Sequence, residues 1–172
     1  PSNMARSLRK QGIFDHLPSL VQDLLRRAAL VNFKEHKVRT RSVITKDLDR
    51  VIEIYKQNFN GGNESVIMRN GSIQRPIFYV VHDASGKVIG YCTYYLNLRF
   101  RRGRINKTAT IYSIAIDDAN KGQGWGDTLL EESISEMRKN RIASIRLFVN
   151  VTNQSAISLY QKHGFEKTDE VE

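Results

Sequence analysis

Residues 111–126, IYSIAIDDANKGQGWG, constrain the fold more than any other stretch of the chain: an apolar, β-branched strand runs into three alternating glycines that open an amphipathic helix. Glycine puts no Cβ between main chain and ligand, and the first N–H groups of a helix have no intrahelical acceptor, so a junction of this kind suits an anion. A diphosphate is the natural guest. The spacing Lys121-Gly122-Gln123-Gly124-Trp125-Gly126 fits neither the dinucleotide fingerprint G-x-G-x-x-G nor the nucleotide loop G-x-x-x-x-G-K-[ST], which excludes both of those ligand classes as first readings.

The flanking pattern sets the fold class. Val38–Ile44 reads as a strand, and Thr45 opens a helix whose apolar face carries Leu48, Val51, Ile52, Tyr55 and Phe59. Residues 60–75 are polar and aperiodic, a loop begun by Gly61-Gly62-Asn63. Ile77–His82 and Val88–Leu96 form two strands across the turn-rich Asp83-Ala84-Ser85-Gly86-Lys87, and Ala109–Ile116 pairs back across a basic hairpin loop. Leu130, Ile134 and Met137 stripe the helix after the glycines; Ile145–Val149 is a strand, Asn153–His163 a helix ended by Gly164, and Phe165 opens another strand. Antiparallel strands followed by alternating helix and strand predict an α/β fold: a mixed, mostly antiparallel twisted sheet flanked by helices. Leu17, Leu20, Val21, Leu24, Leu25, Ala28 and Val31 add a further N-terminal helix, which either packs on its own domain or forms a dimer contact or substrate wall. Residues 1–37 thus hold a cloning remnant, Pro1-Ser2-Asn3, and a helical extension, and residues 38–172 the principal domain.

One cysteine, Cys92, leaves no internal disulfide, and four scattered histidines show no metal-ligand spacing. No apolar run approaches the roughly 18 residues of a spanning helix and no secretory signal opens the chain, so a cytoplasmic protein with no metal and no membrane partner is expected. The net charge of +9 suits a nucleic acid, a ribosome, an acidic substrate or cofactor phosphates. Its densest cluster is Arg99, Arg101, Arg102, Arg104 and Lys107, either a solvated turn or a surface for an acidic or ribosomal partner.

The segment 121–126 resembles the [RQ]-x-x-G-x-[GA] pyrophosphate arm of the acyl-CoA-dependent N-acyltransferases, the GNAT superfamily, with Lys121 in place of Arg or Gln. NVTNQSAISLYQKHGF (150–165) is similar to that superfamily's N-x-x-A-x-x-[LF]-Y-x-x-x-G-F segment through Asn153, Ala156, Tyr160, Gly164 and Phe165. The resemblance implies an acetyl-CoA-dependent N-acetyltransferase domain over 38–172 that lacks its final strand. Main chain at Ile114 and Ile116 would face the pantetheine arm and stabilise the oxyanion. Lys121, Gly122, Gln123, Gly124, Trp125, Gly126 and Asp127 would hold the pyrophosphate. Asn153, read alone a helix cap, would bond the pantetheine; Tyr160, read alone a core aromatic, would protonate the leaving sulfur.

Many members place a carboxylate base where this chain has Thr110 and Phe148. An α-amine with pKa near 8 is already roughly 10% neutral at pH 7, against about 0.04% for a lysine amine, so it needs less help. Glu64, or a water held by Thr110 and Tyr112, is the candidate base. The segment VNVTNQSAISLYQKHGFEK is most similar to the protein N-terminal acetyltransferases, including the ribosomal-protein alanine type. A protein N-terminus is therefore the leading acceptor. A small amine (polyamine, amino acid or aminoglycoside) is the second reading, and a non-catalytic binding protein of the same fold the third.

Overall fold

The computed structural model describes Pro18, Val21 and residues 40–59 and 77–168. The N-terminal helix expected over 17–31, apart from Pro18 and Val21, and the loop at 60–75 with Glu64 lie outside the described residues, as do 169–172. The elements run β1 (Thr40–Ser42), a 3-10 turn (Thr45–Asp47), α1 (Leu48–Asn58), β2 (Phe78–His82), β3 (Val88–Arg101), β4 (Arg104–Ile116), a second 3-10 turn (Asp118–Asn120), α2 (Trp125–Lys139), β5 (Ser144–Leu147) and α3 (Gln154–Lys162). The five strands form one sheet in sequence order. Three pairings are antiparallel and β4 runs parallel to β5, which the α2 crossover requires.

Each sheet face has its own core. On one, Val51, Ile54 and Tyr55 of α1 pack on Phe78, Val80, Tyr91 and Ala115. On the other, Leu129, Leu130, Ile134 and Met137 of α2 and Tyr160 of α3 pack on Tyr79, Val81, Cys92, Tyr94 and Ile111. Ile54, outside the stripe read from the sequence, is fully buried, whereas Phe59 stacks on Tyr55 at 5.0 Å and stays exposed. Cys92 is buried and unpaired as a disulfide, and desolvation pushes its thiol up to about 12.

Three departures from the sequence reading have plain causes. The basic segment is not an open loop: β3 and β4 continue to Arg101 and Arg104, and only Arg102 and Gly103 turn, both left-handed (φ 51° and 74°), as a two-residue hairpin of type I′ demands. Lysine and arginine on an exposed ribbon hide the alternation that marks a strand. Second, no strand follows Phe165 as far as Thr168. Third, Thr93 opposes Ser113 but Tyr94 opposes Ile111, so Tyr112 is an extra residue, a bulge that switches which β4 side chains face α2. Before it these are Ala109 and Ile111; after it, Ile114 and Ile116.

Helix α2 ends in a Schellman arrangement, with Ile142 N–H donating to Met137 C=O and Arg141 N–H to Arg138 C=O, both at 3.0 Å. That motif puts Arg141 at φ 58°, a conformation that costs a non-glycine L-residue roughly 1–2 kcal/mol. Arg141→Gly is expected to raise stability by about 0.5–1 kcal/mol after the added unfolded-chain entropy, read as a higher urea midpoint at unchanged m. An unchanged midpoint would mean that the arginine side chain already offsets the strain.

Candidate active site

The site lies where β4 and β5 part. Their pairing runs from Thr108–Ser144 to Ile111–Leu147 and stops, while β4 continues to Ile116. Asp117 N–H donates to Ile89 C=O at 2.8 Å, which fixes the alternation of the β3–β4 ladder. Ala115 therefore bonds toward β3, and Ile114 and Ile116 turn their peptide groups to the side that β5 has left. Asn58 of α1 donates to Ile116 C=O at 3.1 Å. Among the described residues the N–H of Ile114 has no strand partner there.

The glycine loop follows directly. Gly122 and Gly124 are left-handed (φ 73° and 83°), and a Cβ added to either would meet no protein atom within 4 Å. Gly124 is the N-cap of α2, and the first intrahelical bond runs from Thr128 N–H to Gly124 C=O at 3.1 Å. The amides of Gly124, Trp125, Gly126 and Asp127 all precede that bond and belong to the positive end of the helix dipole. Gly126 differs: its φ is ordinary, and an added Cβ would sit 3.3 Å from Leu159 Cδ2. Here α2 packs closely on α3, so a side chain at 126 would have to displace the end of Leu159 by a few tenths of an ångström.

Side chains brace this loop. Lys121 Nζ pairs with Asp118 at 2.6 Å, Gln123 donates to Ala119 C=O at 3.2 Å, and Trp125 Nε1 donates to Gln123 Oε1 at 3.3 Å. Asp127 takes Lys162 Nζ at 2.8 Å and His163 Nε2 at 3.0 Å, tying the start of α2 to the end of α3. The hydrogen bond from Lys162, then that from His163, holds its carboxyl below the usual range. Arg50 of α1 reaches buried Asp117 at 2.8 Å and donates to Val88 C=O at 3.2 Å, pinning the end of β4 from the other face. Neither of these ties between distant segments is signalled by sequence spacing.

Asn153 caps α3: its Oδ1 accepts from Ala156 N–H at 3.1 Å, and the exposed residue keeps its amide donor. Tyr160 is nearly buried, with its ring edge-on to Phe165 at 5.7 Å. Its hydroxyl bonds no described residue, yet it is not among the sealed polar atoms that lack partners, as Tyr79 Oη is. It therefore keeps access to the exterior from an apolar wall. Desolvation pushes the phenol far above its ordinary pKa, so it is fully protonated at neutral pH.

At the two expected base positions, Thr110 Oγ1 accepts from Asn97 at 3.2 Å and Phe148 is 76% exposed. Tyr112 is half exposed and edge-on to Tyr95 at 5.0 Å. Among the described residues no cluster of His, Cys, Asp and Glu could hold a metal ion, and no helix is long and apolar enough to cross a membrane.

A parted pair of parallel strands, strand peptide groups turned into the gap and a glycine-opened helix start suit an extended ligand that carries an anionic group. Residues 48–165 match the acetyltransferase (GNAT) family. A candidate phosphinothricin acetyltransferase of Bacillus subtilis, YwnH, is 32% identical over 124 residues, 72% of this chain and 68% of that protein. The bS18-alanine N-acetyltransferase of Escherichia coli is 41% identical over 59 residues, 34% of this chain and 40% of that protein. The crystal structure of the Escherichia coli ribosomal-protein-S18-alanine N-acetyltransferase superposes with a TM-score of 0.61 at 26% identity, covering 76% of this chain and 78% of that one. The chain belongs to the GNAT family and is an N-acetyltransferase; the family's acyl donor is acetyl-CoA.

Proposed function

We propose that the protein transfers the acetyl group of acetyl-CoA to the N-terminal α-amine of a protein. The observation that carries this reading is that, among the described residues, each carboxylate where β4 meets the glycine loop is already held in an ion pair. Asp117 is held by Arg50, Asp118 by Lys121 and Asp127 by Lys162 and His163, while Thr110 and Phe148 take the usual base positions. Such a site favours an acceptor that loses its proton most readily, which is an α-amine. Similarity to the bS18-alanine enzyme over 59 residues points the same way.

In this reading the first-turn amides of α2, with Lys121, Gly122, Gln123, Gly124, Trp125, Gly126 and Asp127 contributing main chain or charge, hold the pyrophosphate. Asn153 bonds the pantetheine through its amide. The neutral amine adds to the thioester carbonyl, Ile114 N–H donates to the oxygen as charge builds there, and the C–S bond breaks. Tyr160 gives its proton to the departing sulfur, and the amine's proton leaves through water or Glu64. Similarity to a candidate phosphinothricin acetyltransferase supports a second reading, a small-molecule amine as acceptor.

Incubation with acetyl-CoA and a panel of free-N-terminal peptides, N-terminally blocked lysine peptides, polyamines and phosphinothricin, followed by thiol release, separates the two. Turnover is expected on free N-termini, with kcat/KM rising with pH to a plateau above about 8 as the α-amine loses its proton. Faster turnover on a blocked lysine peptide, a polyamine or phosphinothricin would overturn the assignment.

A further inference from the structure

We propose that Lys162 and His163 are positioning residues for the glycine loop: they hold the Asp127 carboxylate off the first amides of α2, which it would otherwise occupy in place of a bound anion. This role rests on the assignment of that loop to the diphosphate of acetyl-CoA. With Gly124 as N-cap, Asp127 is the third residue of α2 and the acidic residue of its first turn. An acid at that position commonly reaches back to the N-cap N–H, because the free amides and the helix dipole both draw negative charge. Asp127 is therefore a built-in competitor for any anion at this helix start. Yet it does not reach back: among the described residues no acceptor takes the N–H of Gly124, Gly126 or Asp127.

The carboxylate is drawn toward α3 instead. Lys162 Nζ at 2.8 Å and His163 Nε2 at 3.0 Å converge on the same oxygen, Asp127 Oδ1. Because the hydrogen bond from Lys162, then that from His163, keeps the carboxyl ionised at neutral pH, it only accepts, and His163 donates from Nε2. The two donors differ in kind. The His163 side chain is 14% exposed and its own N–H donates to Tyr160 C=O at 3.0 Å, so the ring is a fixed donor that sets direction. Lys162, in the last turn of α3, is largely exposed and supplies the opposite charge. The close approach of Leu159 to Gly126 brings this end of α3 within reach of the start of α2. The amides are left open and the nearest negative charge is offset, which is what a diphosphate needs of this helix start.

The test is calorimetry of acetyl-CoA binding, which needs no acceptor and so stands apart from the acceptor assignment. Lys162→Met with His163→Phe removes both donors and keeps their apolar bulk. Its Kd should rise roughly 5- to 50-fold, the effect of one unit charge about 6 Å from a phosphate near the surface. The loss should narrow as salt is raised from ~20 to ~200 mM. Adding Asp127→Ala to that pair should restore wild-type affinity, and Asp127→Ala alone should bind at least as tightly as the wild type. The triple variant lacks the same ties between α2 and α3 as the double, so a loss of packing common to both cannot make them differ. A double variant with wild-type affinity would overturn the proposal. So would a triple variant as weak as the double, the result expected if the pair only fastens the helices or if Lys162 and His163 touch the phosphates themselves. Intact affinity in Gly124→Val would remove the loop assignment and this role with it, whereas a loss there with none in the double variant overturns the positioning role alone.

Discussion

Tyr160→Phe is expected to lower kcat by about 10²-fold or more while leaving KM for acetyl-CoA and the melting temperature nearly unchanged. The hydroxyl bonds no described residue, so its removal orphans nothing, and Phe keeps the edge-on contact with Phe165. What is lost is the proton. Burial raises the phenol's pKa, which alone would make it a poor donor to a thiolate. A thiolate released against an apolar wall is desolvated as well, however, and becomes a stronger base by the same cause. The gap between donor and acceptor is smaller than the phenol's shift alone suggests. Stopped-flow release of the thiol separates this effect from acetyl-CoA binding. A wild-type kcat in the folded variant would return Tyr160 to a packing role.

Gly124→Val is expected to weaken acetyl-CoA binding by about 10²-fold or more, the loss of two charge-assisted hydrogen bonds at roughly 1.5–3 kcal/mol each. The cause is backbone conformation, not collision with protein, because nothing lies within 4 Å of the added Cβ. A β-branched residue is a severe misfit at φ 83°, and relief of that strain rotates the amides that open α2. Gly86→Val supplies the control. Gly86 has φ 85° and equally open surroundings but sits in the β2–β3 turn. Calorimetry should find acetyl-CoA affinity intact in Gly86→Val and lost in Gly124→Val. Equal affinities would remove the phosphate role of the loop. A change at Gly126 would mix two effects, since its Cβ would also press on Leu159 of α3 at 3.3 Å.

Much of this arrangement is legible in the chain. The helices α1, α2 and α3 and the strands β2 to β5 follow from period and from Gly and Asn punctuation, and the glycine loop stands out by composition. Asn153 reads as a cap and is one. The extension of β3 and β4 to Arg101 and Arg104 is masked, because past buried Leu98 the ribbon's tip is exposed at Phe100 and Ile105 and has no buried side to impose alternation. The Tyr112 bulge leaves no local signature, since it exists only as a mismatch between two strands whose register is set elsewhere.

By itself the sequence determined the class of fold, the glycine loop that opens α2 and the family, because each rests on local spacing: alternation, glycine placement and the order of elements along the chain. Only the tertiary structure decided which glycine packs against a distant helix, which carboxylates already hold ion pairs and which peptide groups of β4 turn away from β3. Gly126 faces Leu159 from 33 residues further on, and Asp117 pairs with an arginine 67 residues before it. Distances, burial and the direction of an N–H arise when distant segments pack, and spacing along a chain does not encode them.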